Sequence, residues 1–315
     1  MPLPLQTEDS TTLSVAQAAL YSLLVTVVYV GIFYLHPKTR PSATVKRDDP
    51  AVVRLRMTLI IIATAIIVFG IVPTVLVSTG VYGSWLWAVL AQKLVWNSFD
   101  AFAQGLLDIL KALALTAILF VAPLTDSFYF KYQEKRDTLG YGPGAVTWPA
   151  FKQDIRMELF NVWGLRNYLV GPLSEELVFR SAILALFLSS SSGLSLMQLV
   201  FLTPLYFGVA HVHHAVELYR AVDPYPAVFI FFTTLFQFAF TTIFGWYAAF
   251  LFLRFGSVWP PVFVHAFCNA LGPPSFVAVG KNSTQTLVYR LLLVVGIVGF
   301  SFSLQVLTDS PNRIL

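Results

Sequence analysis

Two adjacent glutamates and an arginine lie in the stretch GPLSEELVFRSAILALFL, residues 171–188, which is otherwise apolar enough to cross a membrane. Each charge at the centre of a transmembrane helix costs about 2.5 to 3.5 kcal/mol on insertion scales, so these charges need a compensating role. Glu176 and Arg180 are four residues apart, and a helix therefore stacks them as a charge-assisted pair. Glu175 lies about 100° around the same helix. One carboxylate can be held by Arg180 while the other does chemistry.

Two further polar pairs, each with a spacing of four residues, occur in later apolar segments: Phe207 with His211, and His265 with Asn269. A carboxylate with a neighbouring histidine can take a proton from water. A histidine and an amide on one helical face can donate hydrogen bonds to the oxyanion that forms when this water attacks a carbonyl. Together these residues are typical of a hydrolase without a protein nucleophile, although packing or a structural salt bridge explains each pair on its own.

A metal site is the main alternative for the histidines. His213 and His214 follow His211 closely, and three histidines within four residues suggest metal binding. The sequence shows no nearby His-Glu-x-x-His pattern, so the indication of a zinc hydrolase helix is weak. The single cysteine, Cys268, excludes an intrachain disulfide and a metal site of several cysteines. We expect no metal and no cofactor; the alternative is a zinc protease that uses His211, His213 and a glutamate.

The composition indicates what kind of element must position these residues. Hydrophobic residues make up 57% of the 315 residues and charged residues only 11%, against about 25% charged residues in soluble domains. The sequence therefore predicts an all-α polytopic membrane protein. The excess of 20 Lys and Arg over 16 Asp and Glu is small, and the basic residues lie between apolar runs. They indicate membrane topology rather than nucleic-acid binding.

Apolar runs occur at about 17–35, 57–79, 106–124, 166–190, 195–212, 227–253, 257–272 and 287–307. They predict a bundle of about eight transmembrane helices. The polar residues inside several of these runs indicate that a catalytic cavity, if present, is membrane-embedded. We expect one membrane domain over residues 1–315, with its motif-bearing core at about 166–272. The Trp-rich segment 84–96 is an ambiguous addition. The two shorter runs after residue 190 are candidates for half-helices or tilted spans.

Basic residues concentrate in two loops, 36–56 and 131–156, which the positive-inside rule places in the cytosol. The N-terminus would then lie in the lumen. Because residues 1–16 contain no basic residue, we expect the first span to be retained rather than cleaved as a signal peptide. The same topology places the KNST glycosylation pattern at 281–284 on the cytosolic side, where it would be unused.

The motif order resembles that of the type II CAAX prenyl endopeptidases, the eukaryotic branch of the CAAX protease and bacteriocin-processing family. That order is Glu-Glu-x-x-x-Arg, Phe-x-x-x-His and His-x-x-x-Asn, each in its own apolar segment. Every motif position matches: Glu175, Glu176, Arg180, Phe207, His211, His265 and Asn269, with Cys268 beside Asn269 as in eukaryotic members. The motifs span residues 171–272, and the remainder of the chain resembles the family only in size and hydropathy.

The resemblance implies an intramembrane protease of the endoplasmic reticulum, and we expect a fungal source. Its substrates would be farnesylated or geranylgeranylated CAAX proteins, such as Ras-like GTPases and prenylated pheromone precursors, which lose their last three residues. It implies that Glu175 and His211 activate water without a metal and that His265 and Asn269 bind the oxyanion. Glu176, Arg180 and Phe207 would support them.

The prenyl group would remain in the lipid bilayer through a lateral opening. Phenylalanines in the range 229–255 are candidates to line that opening, although lipid contact or packing also explains them. Non-catalytic alternatives are a membrane scaffold and a transporter, since intramembrane charges also mark transporters. A transporter typically shows paired broken helices in two related halves, and the sequence shows no such symmetry.

Overall fold

The computed structural model describes residues 13–40, 42, 46–96, 98–127, 155–191, 193–220, 225–273 and 282–315. Within these ranges the chain forms helices with short connections and has no β-sheet, only isolated bridges such as the one between Leu13 and Ser190. The all-α prediction is therefore confirmed. Most of the basic loop at 131–156 lies outside the described residues, and its cytosolic placement stays a prediction.

The helices that build the bundle are α1 (Val15–Leu35), α2 (Pro50–Ser78), α3 (Trp85–Leu90), α4 (Phe99–Leu119), α5 (Val121–Thr125), α6 (162–188), α7 (Leu196–Tyr219), α8 (Ala227–Phe255), α9 (Trp259–Leu271) and α10 (Ser283–Leu307). Six of them are long and apolar enough to cross a membrane: α1, α2, α4, α7, α8 and α10. Helix α6 is interrupted by charged residues, and α9 has only 13 residues. With these two included, each predicted apolar run corresponds to a helix.

Two helices begin well before the apolar run that predicted them. Helix α2 begins at Pro50, because the side chain of Asp49 accepts hydrogen bonds from the first free backbone N–H groups and proline suits the first helical position. Helix α4 begins at Phe99, where Ser98 provides the cap. Arg54 and Arg56 interrupt the apolar start of α2, and Asp100 and Gln104 that of α4, so hydropathy alone places each start too late.

The Trp-rich segment forms the short helix α3 rather than a further span. Trp85 donates a hydrogen bond from Nε1 to the carbonyl of Phe69 at 3.0 Å. Phe69 lies four residues before Pro73, which has no N–H to offer that carbonyl. The tryptophan therefore satisfies a backbone acceptor that the proline leaves without its helical partner.

Helix α6 carries the Glu-Glu-x-x-x-Arg motif and contains two π-helical segments, Leu165–Val170 and Leu177–Ala182. Pro172 follows the first segment, and the N–H of Gly171 bonds to the carbonyl of Arg166, five residues back. The second segment begins directly after Glu176 and contains Arg180. Wider turns of this kind occur often at functional sites. The apolar pattern alone does not indicate these wider turns.

The core of the bundle surrounds the second half of α6, in which every residue from 178 to 187 is buried. This part of α6 therefore lies inside the bundle, where it contacts other helices on every side. The outer helices are different, since α8 exposes Phe231, Phe232 and Phe236 and α10 exposes a similar apolar surface. The outward surfaces of α8 and α10 suit contact with lipid.

Helices α7 and α8 cross closely beside the motif arginine. A Cβ atom added to Gly245 of α8 would lie 2.6 Å from Pro204 Cβ and 3.3 Å from Arg180 Nη2. Small residues at such crossings allow membrane helices to approach one another. Gly245 therefore leaves room for the guanidinium group of α6 between the two helices.

Candidate active site

Glu176 and Arg180 form a buried ion pair on α6. Arg180 Nη1 lies 3.1 Å from Glu176 Oε1, and the two side chains are 1% and 0% exposed. The predicted contact at a spacing of four residues is confirmed. The guanidinium group also lies over the ring of Phe207, with Cζ 4.3 Å from the ring centroid. This cation–π contact stabilises the buried charge and gives the motif phenylalanine a physical role.

His265 of α9 lies between the two motif carboxylates. Its Nδ1 donates a hydrogen bond to Glu176 Oε1 at 2.7 Å, and its Nε2 lies 3.5 Å from Glu175 Oε2. Spacing within one helix predicts neither contact. Glu176 therefore positions both Arg180 and His265, while Glu175, whose side chain is 24% exposed, keeps access to open space.

The tautomer of His211 follows from its backbone partner. Its Nδ1 lies 2.8 Å from the carbonyl oxygen of Phe207. Because a carbonyl only accepts hydrogen bonds, Nδ1 carries the proton and, in the neutral ring, Nε2 has a free lone pair. The ring packs edge-on against Phe207, with centroids 4.6 Å apart. His211 is thus oriented to accept a hydrogen bond from water.

Asn269 lies one turn beyond His265 on α9 and is exposed. Its Nδ2 donates a hydrogen bond to the backbone carbonyl of Asn167 at 2.9 Å, which connects α9 to α6. An amide nitrogen has two hydrogens, so one donor remains after this contact. Cys268, the neighbouring residue, is a partly buried free thiol.

Two cavities meet at Arg47, Glu175, His211 and His214, which line both. The larger cavity has a volume of about 1160 Å³ and extends to His265 and Asn269. Its walls are mainly apolar, with many aromatic side chains that include Phe120, Phe201, Phe207, Phe240, Phe244 and Trp246. Two of these phenylalanines belong to the range expected to line a lateral opening, whereas Phe231, Phe232 and Phe236 of the same helix are exposed. Phenylalanines of α8 therefore contribute both to the cavity wall and to the outer surface.

The smaller cavity has a volume of about 140 Å³ and is bounded by α1, α2, α6 and α7. It contains the three arginines Arg47, Arg56 and Arg166. The sequence indicated only that Arg47 and Arg56 lie in a basic loop. Their contribution to a cavity beside Glu175 depends on contacts between helices distant in sequence. In the sequence, only the clustering of basic residues marks these arginines as unusual.

The histidine cluster at the end of α7 has the composition of a metal site. One potential ligand atom from each of His213, His214 and Glu217 lies within 4.8 Å of the others. However, Glu217 already binds Arg47 at 2.9 Å and Arg56 at 2.8 Å. A divalent cation would have to compete with two guanidinium groups for this carboxylate. His211 is not a member of this group in the described part of the chain, so the geometry does not support a zinc set of His211, His213 and a glutamate.

Comparisons with known proteins give a consistent result. The sequence model of the family described as type II CAAX prenyl endopeptidase Rce1-like matches residues 158–271. The chain is 30% identical to the probable CAAX prenyl protease 2 of Schizosaccharomyces pombe, covering 93% of this chain and 94% of that protein. It is 34% identical to CAAX prenyl protease 2 of Homo sapiens, covering 89% and 78%, and 28% identical to the protein of that name in Saccharomyces cerevisiae, covering 93% and 98%. No solved structure matches the chain.

Proposed function

Because the chain belongs to the Rce1-like family of type II CAAX prenyl endopeptidases, we propose that its peptide hydrolysis takes place at Glu175, His211, His265 and Asn269. The enzyme is a multi-pass membrane peptide hydrolase that acts on prenylated CAAX proteins. The observation that carries the assignment of the site is the position of Glu175 at the junction of the aromatic cavity and the smaller cavity, which three arginines line. A substrate with a lipid end and a peptide end needs such a junction.

The lipid end fits the larger cavity. A prenyl group buries only apolar surface, which an aromatic wall of this extent can cover. With the prenyl group in that cavity, the peptide bond after the modified cysteine reaches the junction, where Glu175 and His211 lie. The reaction then needs a water molecule at the same place.

Glu175 serves as the general base in this mechanism. It takes a proton from water while the oxygen attacks the carbonyl carbon of the prenylated cysteine, and His211 Nε2 accepts the second hydrogen of that water as a hydrogen bond. The carbonyl oxygen becomes an oxyanion. When the C–N bond breaks, Glu175 returns its proton to the leaving amine, which departs as a free tripeptide.

His265 and Asn269 bind the oxyanion. His265 donates from Nδ1 to Glu176, so it can also donate from Nε2 only when its ring carries both protons. Asn269 contributes its second N–H. Donors fixed in advance toward a developing charge lower the barrier more than donors that must reorient.

The family resemblance supports a more specific proposal for the substrates and for the membrane in which they are cleaved. Ras-like GTPases and prenylated pheromone precursors would be cleaved after their lipid is attached, at the endoplasmic reticulum membrane. The whole chain, residues 1–315, forms one membrane domain with its catalytic core at 166–272. No metal takes part, because water activation is assigned to Glu175 and His211.

Substitution of the proposed base tests this mechanism. Purified Glu175→Gln should cleave a prenylated CAAX peptide at least about a hundredfold more slowly than the parent, because an amide keeps the shape of the side chain but cannot take a proton. Glu158→Gln makes the same chemical change at an exposed residue outside both cavities and should leave turnover near the parent value. Turnover by Glu175→Gln within tenfold of the parent would exclude Glu175 as the base.

A further inference from the structure

We propose that the smaller cavity receives the C-terminal end of the leaving tripeptide, and that Arg56, which lines this cavity, binds the carboxylate. This inference rests on the proposed reaction at Glu175. It concerns a different part of the molecule, since Arg56 lies on α2, away from the aromatic cavity that takes the lipid.

The path of the substrate follows from the two cavities. The scissile bond lies at Glu175, where the cavities meet, and the lipid occupies the aromatic one. The peptide on the other side of the bond then has the smaller cavity available to it. Three extended residues span about 10 Å, so their terminus lies well beyond Glu175. The walls on this side include Val30, Val53, Met57 and Ile60, which suit aliphatic side chains.

Several charged groups line or adjoin the smaller cavity. Three guanidinium groups line it: Arg47, Arg56 and Arg166. The carboxylates bound to them are Glu217, which pairs with Arg47 and Arg56, and Asp48, which pairs with Arg166 at 2.8 Å. Glu175 also lines this cavity, so three carboxylates match the three guanidinium groups in number. The case for a bound peptide carboxylate therefore rests on the hydrogen-bonding position of Arg56.

Arg56 is the best placed of the three arginines. Its side chain is 12% exposed, against 50% for Arg47 and 31% for Arg166. Its Nη1 and Nη2 donate to Glu217 and to the carbonyl of Thr39, each at 2.8 Å. Its Nε is buried and has no hydrogen-bond partner in the part of the chain that the structure describes. A buried donor of this kind requires an acceptor, and a carboxylate is the strongest one available to a guanidinium group.

The position of this anchor also explains why cleavage removes a fixed number of residues. A carboxylate held at Arg56 and a reactive carbonyl held at Glu175 define a distance that one length of peptide spans. A longer or shorter tail would place a different bond beside the base or leave the carboxylate unbound. The arginine end of the cavity would thus set the cleavage position along the chain.

The test compares two substrates that differ only at the terminus: a prenylated CAAX peptide with a free carboxylate and the same peptide as a C-terminal amide. The parent should cleave the acid with a kcat/KM at least about tenfold above that for the amide, since a charge-assisted pair is lost. In Arg56→Gln the ratio should fall toward one. This ratio does not depend on how much of the variant is folded. Arg313→Gln, an exposed arginine paired with Asp309, should keep the parent ratio.

Equal cleavage of acid and amide by the parent would overturn the carboxylate site while leaving the proposed reaction intact. A parent ratio preserved in Arg56→Gln would overturn the assignment to Arg56. If Arg56→Gln cleaves neither peptide, a second measurement is used. Inhibition of the parent by the free tripeptide is compared with inhibition by the tripeptide amide. Stronger inhibition by the acid supports the site, and equal inhibition overturns it. Failure of the proposed reaction gives a different result: Glu175→Gln would then still cleave both peptides.

Discussion

The buried carboxylate of Glu176 accepts a hydrogen bond from His265 at 2.7 Å across 89 positions of sequence. The same oxygen lies 3.1 Å from Arg180, so one side chain fixes a cation on its own helix and an imidazole on another. Glu175, the preceding residue, faces the junction of the two cavities. The two adjacent glutamates therefore have different roles. Glu176 positions Arg180 and His265, and Glu175 faces the space proposed for the substrate.

Loss of the negative charge at Glu176 should affect stability as well as activity. In Glu176→Gln the buried Arg180 loses its only carboxylate partner among the described residues, and breaking a buried pair typically costs about 3 to 5 kcal/mol. We expect a lower unfolding temperature of the purified protein and reduced cleavage, because His265 also loses its charged acceptor. Thermal unfolding and turnover should be measured on the same preparation.

The double variant Glu176→Gln with Arg180→Met separates these two effects. Removing both charges should recover part of the stability, since no unpaired ion stays in the core. Activity should not recover, because His265 still lacks a carboxylate at Nδ1. A single variant that loses activity with an unchanged unfolding temperature would argue against the supporting role of Glu176.

Local geometry explains which parts of the site the sequence could predict. The Glu176–Arg180 pair and the Phe207–His211 contact each involve residues four apart on one helix, where spacing alone fixes proximity. The His265–Glu176 bond joins two helices and depends on how the bundle packs. Apolar runs likewise located the helices, but caps and prolines decided where α2 and α4 begin.

The sequence could not predict the smaller cavity either, because the cavity also depends on how helices distant in sequence pack. Arg47 and Arg56 were interpreted only as topology charges, because a basic loop between two spans is sufficient evidence for that role. Their pairing with Glu217, more than 150 positions away, depends on the packing of α1 against both α2 and α7. The sequence does not predict the π-helical segments of α6 either, because a wider helical turn does not change the hydropathy of the segment.

The close crossing of α7 and α8 makes Gly245 sensitive to added volume. A Cβ at this position would lie 2.6 Å from Pro204 Cβ and 3.3 Å from Arg180 Nη2. Gly245→Val should therefore destabilise the protein by about 1 to 3 kcal/mol through overpacking, and it should lower turnover by displacing Arg180. Gly31→Ala is a suitable control, because an added Cβ at Gly31 has no neighbour within 4 Å. Similar unfolding temperatures for the two variants would contradict this role for Gly245.

Removal of the clustered histidines should distinguish a metal mechanism from the one proposed. His213→Ala and His214→Ala should keep most of the turnover at saturating substrate, and a chelator should not lower the activity of the parent. The reason is that water activation is assigned to Glu175 and His211, while Glu217 is already bound by Arg47 and Arg56. Turnover with and without chelator, followed by added zinc, is the measurement. Loss of activity in both variants that zinc restores would favour the zinc protease.

Asn269→Ala tests the oxyanion site most directly. If the amide donates to the charge that develops on the scissile carbonyl, its hydrogen bond matters more in the transition state than in the bound substrate. Removing one such donor typically lowers turnover about a hundredfold to a thousandfold, or about 2.7 to 4 kcal/mol. Affinity for a non-cleavable prenyl peptide should change little. The two quantities should be measured side by side in the same variant.

The contact between Asn269 and the carbonyl of Asn167 requires a control, because alanine also removes this connection between α9 and α6. If the connection alone mattered, Asn269→Ala would lower the unfolding temperature and weaken peptide binding together with turnover. A donor to the oxyanion predicts instead that turnover falls while binding and stability remain near the parent values. Weakened binding with unchanged turnover at saturation would show that Asn269 holds the substrate, and His265 would then be left as the oxyanion donor without its proposed partner.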